Sequence, residues 1–388
     1  MEQVDIAQAR SIVIFSEFPL RYPGGVERLI KMMCTEFEKS GFLIKVVHNN
    51  KLLPHGYLNL DENAYPCNVE TKKFFRPGLL KFLYQDFPEL GSIPTSSTSV
   101  SIIFLRRVPP RKVLHKINGS GAKVIFCIHG IALERFRLTY FRIMVHQILM
   151  RIMLRQLAKF SFANIFVQVL TPHMRSYLLD ADANPSNVYL IEDKFDVPHA
   201  DIVRNDDHFN IVFIGRMENL QKGIKILMKT ILQLYRMQPK IGIRIIGTGK
   251  DSKILGGLPE NAEYFGSVDE NEKKKLLQNA NLALITSLLE PFSLVALEYL
   301  SLGIPIVTTS ASGPAFILGK DKDFGTVASF RPKEIARCVI SYYQSWEHDK
   351  NEYFEMRKRI LEKSHVLFRP DEMFEEYVEM VTKVIQAS

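Results

Sequence analysis

Leu282-Ala283-Leu284-Ile285-Thr286-Ser287-Leu288-Leu289-Glu290-Pro291-Phe292-Ser293-Leu294-Val295-Ala296-Leu297-Glu298, running on into Gly303-Ile304-Pro305-Ile306-Val307, decides the fold. A short apolar run, a loop ending in an acid, a helical stretch and a second apolar run after a Gly stop spell strand, loop, helix, strand. In open α/β sheets ligands bind in the crevice beyond the carboxyl ends of the strands. Glu290, Phe292, Ser293, Leu294 and Glu298 stand at that place in the pattern, with Ser293 and Leu294 opening a helix whose amides would face an anion.

The pattern recurs outward in both directions. Strands are expected near Ile211–Ile214, Ile241–Ile246, Leu282–Thr286 and Ile304–Thr308 in the second half, alternating with helices. In the first half, strands near Ile12–Phe15, Phe42–Val47, Ser99–Leu105, Lys123–Ile128, Ile165–Leu170 and Val188–Ile191 alternate with helices, one of them over Val26–Lys39. Such alternation implies parallel sheets covered on both faces, an α/β fold with two Rossmann-like domains. Pro198 and the polar run Arg204-Asn205-Asp206-Asp207 place the linker near Val197–Asp207, giving domains over 1–203 and 204–388. The Pro- and Ser-rich piece Leu52–Thr98 yields no fold.

The 388 residues exceed a typical single core, and a hydrophobic content of 46% describes a soluble globular protein. No cationic leader and no apolar run of membrane-spanning length is visible, so a cytoplasmic location is expected. Cys34, Cys67, Cys127 and Cys338 are scattered without a C-x-x-C or Cys/His cluster, which argues against structural zinc and a disulfide framework.

Phe209-Asn210-Ile211-Val212-Phe213-Ile214-Gly215-Arg216 ends a strand in a cation, and Gln221-Lys222-Gly223 opens an amphipathic run. Arg216 and Lys222 beside the Gly215 backbone make a cationic clamp suited to a diphosphate. Cations for phosphates and carboxylates for hydroxyls together suggest a sugar nucleotide. Gly24-Gly25, between strand and helix, are either an ordinary turn or a loop that lets backbone approach a phosphate or sugar. His129, ending the strand Lys123–Ile128, is either a structural histidine or a group at the crevice edge.

With Arg216 and Lys222, the glutamates eight residues apart at Glu290 and Glu298, and Gly-Gly-Val-Glu-Arg at Gly24–Arg28, the chain resembles the retaining glycosyltransferases of family 4, of GT-B fold, over nearly its whole length. The resemblance implies that Glu290 contacts the donor sugar near the reacting centre and that Glu298 holds the ribose hydroxyls. It implies that the Gly24-Gly25 loop approaches a phosphate or sugar of the donor, that His129 serves the donor sugar or the acceptor, that Gly247 lies near the nucleotide, and that Gly266 and Val268 lie near the base. It also implies that the last helix, about Asp371–Ile385, crosses back onto the first domain. The chain departs from the family after Thr308-Thr309, where Ser312-Gly313-Pro314-Ala315-Phe316 puts an aromatic ring in the place of the usual acid.

Gly247-Thr248-Gly249 lacks the third glycine of a dinucleotide fingerprint, since Ser252 stands there, and nicotinamide binding is rejected. Asp180-Ala181-Asp182 and Asp321-Lys322-Asp323 have the spacing of metal-binding transferase acids but read as surface turns. No metal or other cofactor is expected. The net charge of +8 concentrates between Arg135 and Lys159, where Arg135, Arg137, Arg142, Arg151, Arg155 and Lys159 interleave with apolar residues. That segment is either a helix lying on an anionic membrane surface or a half-buried helix with cations on its wet face. Lys273-Lys274-Lys275 reads as the solvated side of a helix, and nucleic acid is excluded as a partner for want of a stacking platform or recognition motif. The reading is a metal-independent transferase moving sugar from a nucleotide diphosphate donor to a glycan or lipid-linked acceptor. A sugar-nucleotide epimerase, a phosphorylase and a non-catalytic sugar-nucleotide binder are the alternatives.

Overall fold

The computed structural model of the chain describes residues 10–16, 25–49, 68–72, 88, 90–105, 109–134, 141–162, 164–194, 202–204 and 206–387. The strands are β1 (Ser11–Ser16), β2 (Leu43–Asn49), β3 (Asn68–Lys72), β4 (Ser99–Leu105), β5 (Lys123–Ile128), β6 (Ile165–Val169), β7 (Val188–Leu190), β8 (Asn210–Ile214), β9 (Gly242–Ile246), β10 (Ala262–Gly266), β11 (Leu282–Ile285), β12 (Ile306–Thr309) and β13 (Gly325–Ala328). The helices are α1 (Gly25–Lys39), α2 (Arg111–Ser120), α3 (Phe141–Phe160), α4 (Pro172–Leu179), α5 (Asn219–Lys222), α6 (Ile224–Met237), α7 (Glu270–Gln278), α8 (Leu294–Leu300), α9 (Ser312–Leu318), α10 (Pro332–His348), α11 (Lys350–Leu367) and α12 (Pro370–Gln386). Contacts divide the chain into two units, Met1–Glu192 with Asp371–Ser388, and Asp193–Pro370. The division falls after Glu192, where the sequence pattern suggests a boundary at 203/204.

The first unit is a parallel sheet of order β3-β2-β1-β4-β5-β6-β7. Side chains alternate between its faces, as a period of two requires. Phe15, Ile103, Leu105, Val124, Phe126 and Ile128 join one core with Leu114, Leu154 and Leu178 of α2, α3 and α4. Ile12, Ile14, Ile102, Phe104, Ile125 and Cys127 join the other with α1 and α12. Met373, Phe374, Tyr377, Met380, Val381 and Val384 of α12 all sit in that second core, so the last helix is part of the first unit's interior. Lys123 Nζ ties the helix end by donating to the Ile385 carbonyl at 2.6 Å.

The second unit is a parallel sheet of order β10-β9-β8-β11-β12-β13. Ile211, Val212, Ile243, Leu282, Ala283, Ile306 and Val307 are all buried, as expected for parallel strands covered on both faces. Both sheets reverse strand order once, between β1 and β4 and between β8 and β11. The doubly wound fold binds ligands at such a reversal. In the second unit the loops there carry Arg216 and Lys222 on one side and Glu290 on the other. No described helix is long and apolar enough to cross a membrane.

Candidate active site

Lys222 is placed by two fastenings between the loops that follow β8 and β11. It ends the single turn α5 rather than starting the long helix, because Gly223 follows in a left-handed conformation (φ 65°) before α6 begins. A Cβ at Gly223 would overlap the Thr286 carbonyl oxygen, so only glycine lets the two loops approach. Thr286 Oγ1 donates to the Lys222 carbonyl at 2.9 Å, and the Leu288 amide donates to the Gln221 carbonyl at 2.7 Å.

The Lys222 ammonium then pairs with Glu290 Oε2, and Ser287 Oγ donates to the same oxygen at 2.8 Å. The side chains of Lys222 and Glu290 are only 14% and 10% exposed. Glu290 is fixed from the other side as well, since its carbonyl accepts the Gly313 amide at 2.9 Å and Ser312 Oγ at 3.3 Å. Beyond it Ser293 takes φ 112°, rare for a residue with a Cβ and costing on the order of 1–3 kcal/mol, before Leu294 starts α8. A carboxylate held by a cation and a hydroxyl at a sheet's reversal point can accept hydroxyl hydrogens of a ligand without reorganising.

The other expected site residues are placed as follows. Arg216, on the same loop as Lys222, is 52% exposed, donates to Gln221 Oε1 at 2.5 Å and lies 3.8 Å from Glu218. Gly215 packs near the Lys222 stem, and Gly247 (φ 123°) lies against the Gly215 backbone while its amide donates to the Gly266 carbonyl at 2.7 Å. Gly215, Gly247 and Gly266 thus form one row along the carboxyl ends of β8, β9 and β10, with Val268 just beyond. His129 is in the first unit, where Nε2 lies 3.1 Å from Gln168 Oε1 and 3.4 Å from the Tyr377 hydroxyl, and its ring meets Phe104 edge-on. The Gln168 amide nitrogen donates to the Ile191 carbonyl, which leaves its oxygen to accept from His129. Gly25 begins α1, and Gly24 lies outside the described residues.

Glu298 is partnered by a lysine of α7: Lys273 Nζ sits 2.8 Å from its Oε1, with side chains 19% and 18% exposed. The same contact overturns the reading of Lys273 as solvated, although Lys274 and Lys275 are exposed. Burial pulls the Lys273 ammonium down, but the Glu298 and then the Glu270 carboxylates hold it above the ordinary lysine value.

Phe316 turns onto Phe292, ring centroids 6.3 Å apart, and carries Lys320 Nζ 4.8 Å above its face. Asp321 caps a 3-10 turn that contains Asp323, and both are bound by Lys363, at 2.9 and 2.8 Å, while Asp180 caps α4 and Asp182 takes φ 66° in the following turn. Along α3, Ile143, Met150, Leu154 and Leu157 face inward and Val145, Ile148, Ile152, Arg155 and Lys159 face outward. Arg151 is not a surface cation, because its guanidinium donates to the Glu134 carbonyl at 2.8 Å. Residues 135–140 lie outside the described residues.

Residues 208–345 match the family model described as Glycosyl transferases group 1. Over that segment the chain is similar to the group 1 glycosyltransferases. An uncharacterized glycosyltransferase of Methanocaldococcus jannaschii is 29% identical over 147 residues, 36% of this chain and 37% of that protein, so the match spans little more than a third of that relative. A phosphatidylinositol N-acetylglucosaminyltransferase component of Arabidopsis thaliana is 22% identical over 84% of this chain and 73% of that one. Among solved structures, Anabaena HepE in complex with UDP and glucose superposes with a TM-score of 0.67 at 15% identity, covering 96% of this chain and all of that one. The likeness in fold, with the two doubly wound sheets, bears out the GT-B class expected from the sequence.

Three residues of the site were missed in the sequence: Ser287, Lys273 and Tyr299, whose buried hydroxyl accepts the Ile214 amide at 2.8 Å and so pins the end of β8 to α8. Ser287 carries a signal, a hydroxyl at a strand's carboxyl end just before the acid. Lys273 carries none, lying in a run of three lysines.

Proposed function

We propose that this chain is a glycosyltransferase that moves a sugar from a nucleoside diphosphate sugar to an acceptor hydroxyl, with retention of the anomeric configuration and without a metal. The observation that carries the reading is the Lys222–Glu290–Ser287 constellation at the reversal point of the second sheet. Lys222, with Arg216 on the same loop, supplies positive charge where the leaving diphosphate gains negative charge. Glu290 accepts hydroxyls of the donor sugar and Glu298 those of the ribose. Lys222 and Ser287 already engage Glu290, which suits an acceptor of hydrogen bonds better than a nucleophile. A front-face route follows: the bond from anomeric carbon to phosphate oxygen breaks, the acceptor oxygen bonds to the same face, and its proton passes to the leaving phosphate. Asp321 and Asp323 are taken up by Lys363, which supports charge neutralisation by side chains rather than by a metal held on that pair. His129 would serve the sugar or the acceptor.

UDP sugars are the first donors to test, since HepE binds UDP and glucose. The Arabidopsis relative is named for a phosphatidylinositol acceptor, and the outward row of Val145, Ile148 and Ile152 continuing into Arg155 and Lys159 favours an anionic membrane as the place where a lipid-linked acceptor is met. An acceptor in polysaccharide, lipopolysaccharide or glycolipid synthesis fits either a glycan or a lipid. Replacing Ile148 and Ile152 by Ser and Arg155 and Lys159 by Gln should abolish sedimentation with anionic vesicles while donor hydrolysis continues. Wild-type protein that ignores such vesicles at low salt would leave a soluble glycan as the acceptor. Screening nucleoside diphosphate sugars for release of the diphosphate tests the activity itself. Isomerised sugar nucleotide, phosphate-dependent cleavage, or binding without turnover would instead mark an epimerase, a phosphorylase or a silent binder.

A further inference from the structure

Glu298 belongs to α8 and Lys273 to α7, so their contact joins two elements rather than stiffening one helix. Lys273 Nζ lies 2.8 Å from Glu298 Oε1 and 3.0 Å from Glu270 Oε2. The two contacts are unequal. Glu270 is almost fully exposed, and an ion pair there adds little. Glu298 and Lys273 are both more than four-fifths covered, so their charge-assisted bond is poorly screened and competes with little water. The Glu298 carbonyl also accepts Ser301 Oγ at 2.9 Å, which fixes the backbone that carries the carboxylate.

A carboxylate offers about four lone-pair directions, and Lys273 uses one of them on Oε1. What the lysine removes is rotational freedom. An unpaired glutamate at this position would sample several rotamers, and a diol could be bound only from one of them.

We propose that Lys273 is a positioning residue that holds the Glu298 carboxylate in the orientation a ribose diol requires, and so sets the preference for ribonucleotide over 2′-deoxyribonucleotide donors. The proposal rests on the reading of Glu298 as the ribose acceptor. The contacts of Lys273 are with Glu298 and Glu270, so on this reading its loss acts on nucleotide binding and leaves turnover at saturation largely alone.

Calorimetric titration of UDP, ADP and GDP, each beside its 2′-deoxy counterpart, into wild-type, Lys273→Met, Lys273→Arg and Glu298→Gln protein tests this. For the base that binds, wild-type protein should prefer the ribonucleotide by about tenfold, as for one hydrogen bond to a charged group. Lys273→Met should lose most of that preference, Lys273→Arg should keep it, and Lys273→Met should raise KM for the donor while kcat stays within about threefold. A partly unfolded variant lowers the stoichiometry but not the preference, so loss of folded protein cannot imitate the result. An unchanged preference in Lys273→Met with a lost preference in Glu298→Gln overturns the positioning role alone. Tighter binding by Lys273→Met also overturns it, because it would make the lysine a competitor of the ribose. A preference unaffected in Glu298→Gln removes the ribose reading itself, and the proposal with it.

Discussion

Replacing Lys222 by Met removes a charge from a pair whose members are only 14% and 10% exposed, and leaves the Glu290 carboxylate supported by Ser287. Breaking a buried pair on one side costs about 3–5 kcal/mol, and the residual exposure here argues for the lower end, about 3 kcal/mol. In a domain of roughly 150–250 residues each kcal/mol moves Tm by about 2–4 °C, so Lys222→Met should lower it by about 6–12 °C. Glu290→Gln should cost a similar amount by stranding the ammonium. The double variant strands neither charge, and should cost about as much as either single variant rather than their sum, a coupling of about 3 kcal/mol in the cycle. Activity should behave differently. Loss of a preorganised charge at the leaving group lowers kcat on the order of a hundredfold or more, and the double variant should regain none of it. Thermal unfolding and donor hydrolysis on the same four proteins separate the two roles. Additive Tm losses would show that the pair is uncoupled, and near-normal turnover in Lys222→Met would remove it from the chemistry.

A Cβ at Gly313 would lie 2.5 Å from the Phe292 amide nitrogen and Cα, so Gly313→Ala should push α9 from the Glu290 loop, break the amide bond to the Glu290 carbonyl, and lower kcat/KM at least tenfold; unchanged kinetics would show that the loop tolerates the shift. Deleting residues 371–388 uncovers Met373, Phe374, Tyr377, Met380, Val381 and Val384 at roughly 1.5–3 kcal/mol each, a total comparable to a whole domain's stability, and circular dichroism should show the first unit unfolded rather than merely weakened. Burial pushes the Asp321 carboxyl up, but bonds from Lys363 and the Asp323 amide hold it below its ordinary 3.8. A lowered folded value gives stability that is full above the ordinary value and lost as pH falls through the lowered one, so Asp321→Asn should flatten the acid limb of stability below about pH 4; an unaltered limb would contradict the assignment.

The inner strands of both sheets were legible because burial on both faces makes them continuous apolar runs. The edges were not. β3, β10 and β13 are bordered on one side only, and Ala262–Gly266 and Gly325–Ala328 carry mostly half-exposed residues that show no apolar run. At the site, Glu290 and Lys222 could be read from spacing, since a strand end dictates where their loops emerge. The partnership of Glu298 with Lys273 could not, because it depends on how α7 packs beside α8 and not on any local pattern. Arg151 failed for the same reason: a basic residue in an apolar helix reads as a surface charge until a carbonyl from another segment claims it.

The central claim, retaining transfer from a sugar nucleotide, is tested most directly by proton NMR of the anomeric signal while the protein consumes α-linked donors such as UDP-glucose, UDP-N-acetylglucosamine or GDP-mannose. The account predicts release of the nucleoside diphosphate with a first-formed product in the α configuration, at a rate lower by about a hundredfold or more in Lys222→Met. A first-formed β product, or an isomerised sugar nucleotide with no diphosphate released, would contradict it.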